Sequence, residues 1–256
     1  MPNLNELLNN PQLWRSARRN LAAGGNSVSS GHRELDFALH SGGWPVAGST
    51  EVLCDRSGLG EITLLLPALA RLSKQQTLAW VNPPFTPYGP ALQQAGVVLD
   101  NCLFIHTHKL TDHLWACEEL LRSATCAAVL NWTGKQRLND RDLRRLQLAA
   151  RDQNCWHLHF RAESFRHQSS PAPLRLVLAA STEQLHVELL KQSGGPAGQQ
   201  IALTRDAFLL HRQQSPEQWP VPRRSVAHKR SLQKTRLRLA HRGHRRQPGP
   251  RLLELR

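Results

Sequence analysis

The stretch GSTEVLCDRSGLGEITLLLPALAR, residues 48–71, has the spacing of a phosphate-binding turn between a strand and a helix. A working P-loop reads G-x-x-x-x-G-K-[ST]. Its backbone N–H groups cradle phosphates, its Lys neutralises them and its hydroxyl holds Mg²⁺. Here Gly58 and Gly60 supply the turn, with Gly60 standing for the second glycine, but Glu61 falls at the Lys position and Ile62 at the hydroxyl position. Cys54 lies near the first-glycine position, one residue too far from Gly60. A carboxylate repels a triphosphate where a Lys would attract it, so the swap reverses the sign of the largest local charge term. The residues read as a degenerate P-loop, its architecture kept and its catalysis lost. An ordinary strand–turn–helix that never held a nucleotide fits the same stretch.

Other reactive residue types are thinly spread. His157 and His159 flank Leu158 and so share one face of a strand, but no third metal ligand is evident, and His106 and His108 are in the same position. Ser57 has no G-x-S-x-G context for a nucleophile. The five cysteines, 54, 102, 117, 126 and 155, form no CxxC pair, and several lie in apolar runs, as reduced core cysteines do.

These residues must be positioned by elements legible in the pattern. Strands are expected at 50–54, 77–81, 101–106, 126–130 and 155–160, alternating with helices at 61–71, 88–95, 111–123 and 140–152. Thr111 and Asn139 are N-cap candidates; Leu143, Leu146, Leu148 and Ala149 are expected to face inward. This alternation predicts an α/β fold, a mostly parallel sheet with helices on both faces. Runs at 174–179, 185–190 and 200–203 then follow without helices and predict an antiparallel annex on the sheet edge. Trp80, Trp115 and Trp156 sit in apolar runs and are expected in the core, while Trp44, Trp132 and Trp219 fall in turns or a linker.

Three segments follow: a helical segment and linker at 1–27 (with Gly/Ser/Asn-rich residues 23–30), an α/β domain at 28–211, and a basic tail at 212–256. The 256 residues and 40% apolar content support a core. No apolar run approaches the ~20 residues that span a bilayer and no signal sequence opens the chain, so a cytoplasmic protein without a membrane partner is expected. Of the net charge of +14, residues 222–256 hold +11, twelve Lys/Arg against the single acid Glu254. The tail carries Arg223, Arg224, Lys229, Arg230, Lys234 and Arg236, then Arg238, Arg242, Arg245 and Arg246, with Leu232, Leu237 and Leu239 between them. Three readings fit: a solvated, largely disordered charge run, contact with a nucleic-acid backbone, or a helix that folds on a protein partner through its leucines. No aromatic residue follows Trp219, so base stacking by the tail is not expected.

The lead-in from Ser30 to Leu39 (SGHRELDFAL), followed by Gly42-Gly43-Trp44-Pro45 and Gly48, the run YGPALQQAGVVLDNCLF from Tyr88, and Glu188-Leu189-Leu190-Lys191 before a glycine turn together resemble the RecA-type recombinase core. The resemblance covers roughly residues 28–203. Within that superfamily the chain is most similar to the SulA/ImuA branch, on EVLCDRSGLGE followed by LLLPAL and on the later AVLNWTG. Its length and basic C-terminus resemble the ImuA family of SOS-induced accessory proteins. The resemblance places the Walker A Lys and Thr at Glu61 and Ile62, the Walker B aspartate at Asn131, and the activating glutamate within Asn82-Pro83-Pro84. ATP hydrolysis needs positioned Mg²⁺ and an oriented water, so no catalytic residue, cofactor or metal is expected. What the resemblance implies is a non-catalytic adaptor of translesion synthesis and mutagenesis, nucleoid-associated after DNA damage. Its implied partners are an ImuB-type polymerase-like protein and an error-prone DNA polymerase subunit, with DNA and RecA as further contacts. The alternative is a SulA-like inhibitor of cell division.

Overall fold

The computed structural model describes residues 27–204. The expected N-terminal helices, the segment 205–211 and every basic and leucine residue singled out in the tail lie outside the described residues.

Ser27–Val28 (β1) pairs antiparallel with Trp44–Pro45 (β2), and Arg33–Ala38 (α1) lies between them. The linker expected at 23–30 therefore ends in ordered structure. Asp36 ties it down, accepting from Ser29 Oγ at 2.6 Å and from the Ser30 N–H at 2.7 Å.

The main sheet has eight strands. In chain order its elements are Gly48–Cys54 (β3), Glu61–Ser73 (α2), Thr77–Val81 (β4), Gly89–Gln94 (α3), Cys102–Ile105 (β5), Leu110–Arg122 (α4), Cys126–Gly134 (β6), Asp140–Asp152 (α5), Trp156–Ala162 (β7), Leu174–Ala180 (β8), Gln184–Gln192 (β9) and Gln199–Thr204 (β10). Their spatial order is β10-β9-β8-β3-β7-β6-β4-β5. All pairings from β8 to β5 are parallel; only β8–β9 and β9–β10 are antiparallel. The expected annex is thus one strand too large, because β8 lies parallel beside β3. No helix of the described residues is long and apolar enough to cross a membrane.

Strands buried on both faces need helices on both faces, and side chains alternate between two cores. Leu78, Trp80, Ala128, Leu130, Trp156 and Leu158 face α1 and α2, where Leu35, Leu64, Leu65, Ala68 and Leu69 are buried. Ala79, Val81, Val129 and Cys155 face α4 and α5, with Cys117, Leu121, Leu146, Ala149 and Ala150. Asn139 caps α5 as expected, its side chain accepting the Asp142 N–H at 2.8 Å. Thr111 does not cap α4; it lies inside the first turn, and the N-cap is Lys109.

Several residues sit differently from their expected places. Trp115 is 65% exposed and Leu148 39% exposed, each on the outward side of its helix. Trp44, expected in a turn, is fully buried with its ring centroid 5.7 Å from that of Trp156. Trp132 stacks on Phe160 at 4.4 Å and on Trp80 at 5.8 Å. All five cysteines are free.

Candidate functional site

The glycine loop sits where β3 hands the chain to α2, at the carboxyl end of the sheet. Gly58 and Gly60 have φ of +86° and +112°, a left-handed backbone that a side chain strains. Gly60 is the N-cap of α2 and offers no capping side chain. Glu61, the first helical residue, fills that role: its Oε1 accepts the Gly58 N–H at 2.9 Å and its Oε2 the Gly60 N–H at 3.1 Å. The carboxylate is buried and lies at the positive end of a 13-residue helix dipole. The two N–H groups that a phosphate would use are therefore held by the chain's own anion. Ile62 turns its half-buried side chain onto the α1/α2 core and offers no oxygen to a metal.

Beside the loop is a cavity of about 210 Å³, lined among others by Cys54, Arg56, Ser57, Glu61, Trp132 and Lys135. That is smaller than the ~300–1,000 Å³ of a typical small-molecule pocket. The Cys54 thiol is pushed up to about 12, first by burial and then by the charges of Glu61, Asp55 and Glu163. It stays protonated at neutral pH and is no nucleophile.

Asn131, which the resemblance puts at the Walker B position, turns its side chain away from the α2 side of the sheet. Its neighbours Leu130 and Trp132 point to the α2 side, and Asn131 points to the α4/α5 side, fully buried. It joins a polar chain there that motif reasoning missed. His113 Nε2 donates to Asn131 Oδ1; Asn131 Nδ2 meets His157 Nε2 at 3.2 Å; His157 Nδ1 meets Ser49 Oγ at 2.8 Å. Asn82 Nδ2 meets His113 Nδ1 at 2.8 Å at the other end. An amide nitrogen only donates, so His113 carries its proton on Nε2 and His157 on Nδ1. Both imidazoles are neutral. Burial and the neighbouring His113 bring His157 down to about 3, burial lowers His113, and burial with His157, Arg161 and His113 lowers His159 well below its usual value. His159 Nε2 meets Thr133 Oγ1 at 2.9 Å, and the rings of His157 and His159 stack at 5.5 Å. The two histidines do share a face, but one nitrogen of His159 and both of His157 are occupied by protein partners. Among the described residues no group of three His, Cys, Asp or Glu is arranged to hold a metal.

One strand over, the buried Glu51 carboxylate accepts from Arg161 Nη1 at 3.1 Å, Arg175 Nε at 2.6 Å and Ser170 Oγ at 2.8 Å. Arg161 also stacks over the Phe165 ring at 4.4 Å. The sequence signal for this layer is period two: Ser49 and Glu51 flank Thr50, Asn131 and Thr133 flank Trp132, and His157, His159 and Arg161 alternate with Leu158 and Phe160. These groups are buried and bond to one another across three strands, which ties the sheet together.

The family model described as "Cell division inhibitor SulA" matches residues 51–156. Those residues run from Glu51 through the loop, Asn131 and the start of β7. A solved structure titled "Crystal structure of SulA from Pseudomonas aeruginosa" is 25% identical over 44% of this chain and 97% of that one, with a TM-score of 0.36. No curated protein matches.

Proposed function

We propose that this chain is a non-catalytic, RecA-like docking protein of the SOS response, an adaptor of translesion synthesis rather than an ATPase. The observation that carries the non-catalytic part is the Glu61 carboxylate seated on the Gly58 and Gly60 N–H groups. A triphosphate entering the loop would have to expel a buried, doubly bonded anion and would meet neither a Lys nor a hydroxyl there. The position of Asn131, an amide turned to the opposite side of the sheet from α2, supports the same reading, since the Walker B position then offers the loop no carboxylate for Mg²⁺. The similarity of residues 51–156 to the SulA family supports the SOS context. The sequence outside that match, with its +11 tail at 222–256, favours an adaptor that grips a polymerase-like protein and DNA.

The test is a capture experiment from DNA-damaged cells with the full chain and with residues 222–256 deleted. Loss of polymerase-like partners and of salt-sensitive DNA binding on deletion is the expected result. Unchanged capture of both would remove the tail from the reading, and Mg²⁺-dependent ATP cleavage by the purified chain would end the non-catalytic assignment. A second reading, a division inhibitor, has the family match in its favour; filamentation of cells on overexpression would select it.

A further inference from the structure

Residues 83–105, PPFTPYGPALQQAGVVLDNCLFI, hold a single charged side chain, Asp100, in a chain that is 20% charged. Six of the nine large apolar side chains exposed among the described residues belong to it: Phe85, Tyr88, Val98, Leu99, Leu103 and Phe104. The fold gathers them at one margin. β5 ends the sheet beyond β4, with no further strand among the described residues. The loop carrying Phe85 and Tyr88 leaves β4 alongside it, where the Asn82 N–H donates to the Ile105 carbonyl at 2.9 Å. A Cβ on Gly89 would stand 3.6 Å from Leu99.

Ile105 turns its carbonyl toward β4. Successive residues of a strand present their backbone groups to opposite sides, so Phe104 presents its N–H and C=O outward. Soluble proteins block such an edge with Lys, Pro or a bulge, and CLFI has none of these. Aromatic enrichment with depletion of charge is the composition of an interface core.

We propose that β5 is a homodimer interface, in which two copies join their sheets by antiparallel β5–β5 pairing centred on Phe104. A face without charges is matched by another such face, and this one matches itself. Residues 27–204 carry 16 Lys/Arg against 15 Asp/Glu, so the two bodies do not repel. The opposite edge of the sheet is a poor mate: β10, QQIALT, exposes Gln200, Ala202 and Thr204. Pairing β5 with β5 closes a two-fold dimer, whereas pairing β5 with β10 would propagate an open chain. At the two-fold, each Phe104 N–H donates to the Phe104 carbonyl of the other copy. The ring, 5.6 Å from that of Trp80, is held in place for this contact.

Sedimentation of the full chain, at moderate salt to screen the basic tail, together with hydrogen exchange at the Phe104 amide, tests the proposal. The chain should sediment as a dimer, and the Phe104 amide should exchange more slowly as concentration rises. Leu103→Lys should halve the mass and abolish that concentration dependence. Tyr88→Asp, at an exposed position outside any strand, should weaken the dimer in the same direction, and it replaces Leu103→Lys as the deciding variant should the latter fail to fold. A monomer throughout the soluble range, open-ended growth in mass, or a folded interface variant that stays fully dimeric would overturn the proposal. So would Phe104 protection that is independent of concentration and disappears on deletion of residues 1–26, since the chain's own N-terminal segment would then cover the edge.

Discussion

Asn131 donates its amide to His157 Nε2 at 3.2 Å, and that bond fixes which nitrogen of the imidazole carries the proton. His157 then has Nδ1–H for Ser49, while Asn131 Oδ1 is left to accept from His113. An Asp at 131, the residue a metal-binding strand end would carry, would set a buried carboxylate against the Nε2 lone pair, a clash relieved only if the ring proton moves to Nε2 and Ser49 turns to donate to Nδ1. The Asn131→Asp chain should lose about 1–3 kcal/mol at pH 8, read by urea unfolding. The deficit should shrink toward pH 6, because a proton entering His157 converts the clash into an ion pair. Mg²⁺ should not bind more tightly, since the side chain faces away from α2.

The wild-type chain should lose stability in acid. His157, with a value of about 3 in the fold, and the likewise lowered His113 and His159 are neutral when folded and titrate near 6.5 when unfolded. Below pH 6.5 the unfolded state binds the extra protons. Stability that is complete above that value therefore drains away as pH falls toward about 3. Each fully buried imidazole contributes a slope of up to about 1.4 kcal/mol per pH unit. Unfolding midpoints between pH 8 and 5 should fall accordingly, and His159→Gln, which cannot titrate, should flatten the slope. A flat profile in the wild type would show that these imidazoles are hydrated.

Much of this architecture was legible in the residues. Buried parallel strands read as apolar runs, and α4 and α5 show helical spacing, so β3 through β7 start close to where the pattern puts them. But β6 runs past its expected end at 130 to Gly134 and takes in Trp132, expected in a turn. The pattern puts β8 in the antiparallel annex, because parallel neighbours usually need a helical crossover. Here the chain passes from β7 over β3 to β8 with only the short 3₁₀ turn Glu163–Phe165. Trp115 lies outside the core because an apolar run does not reveal which side of a helix a residue occupies. Asn131 illustrates the same limit on a strand: its slot after AAVL was right for a motif, and the side chain's direction was wrong for it. The partner of Glu61 was not legible either, since a hydrogen bond to backbone leaves no mark in residue types.

Glu51 is held between Arg161 and Arg175 in the buried layer, at distances of 3.1 Å and 2.6 Å. Removing its charge leaves two guanidiniums facing each other without compensation. Breaking a buried ionic cluster from one side costs about 3–5 kcal/mol, so Glu51→Gln should unfold at a far lower urea concentration. Replacing all three members, Glu51→Leu with Arg161→Met and Arg175→Met, should recover most of that loss. A mild effect of Glu51→Gln alone would mean that water reaches the cluster.

Glu61→Gln separates the two roles of the glycine loop. The amide keeps one acceptor for the Gly58 or Gly60 N–H but turns its NH₂ toward the other, and it gives up the charge at the start of α2. A loss of about 1–2 kcal/mol is expected, seen as an earlier urea midpoint with an unchanged circular dichroism spectrum. Glu61→Ala removes the anion altogether and uncovers both N–H groups, so this variant, unlike the wild type, should be stabilised by millimolar inorganic phosphate or sulfate. Neither variant should hydrolyse ATP. The double change Glu61→Lys with Ile62→Thr restores the P-loop letters and should still fail, because β6, two strands from β3, presents Trp132 to the cavity beside the loop and turns the Asn131 amide away. Turnover by that double variant would mean that the carboxylate at Glu61 alone keeps the fold from catalysis.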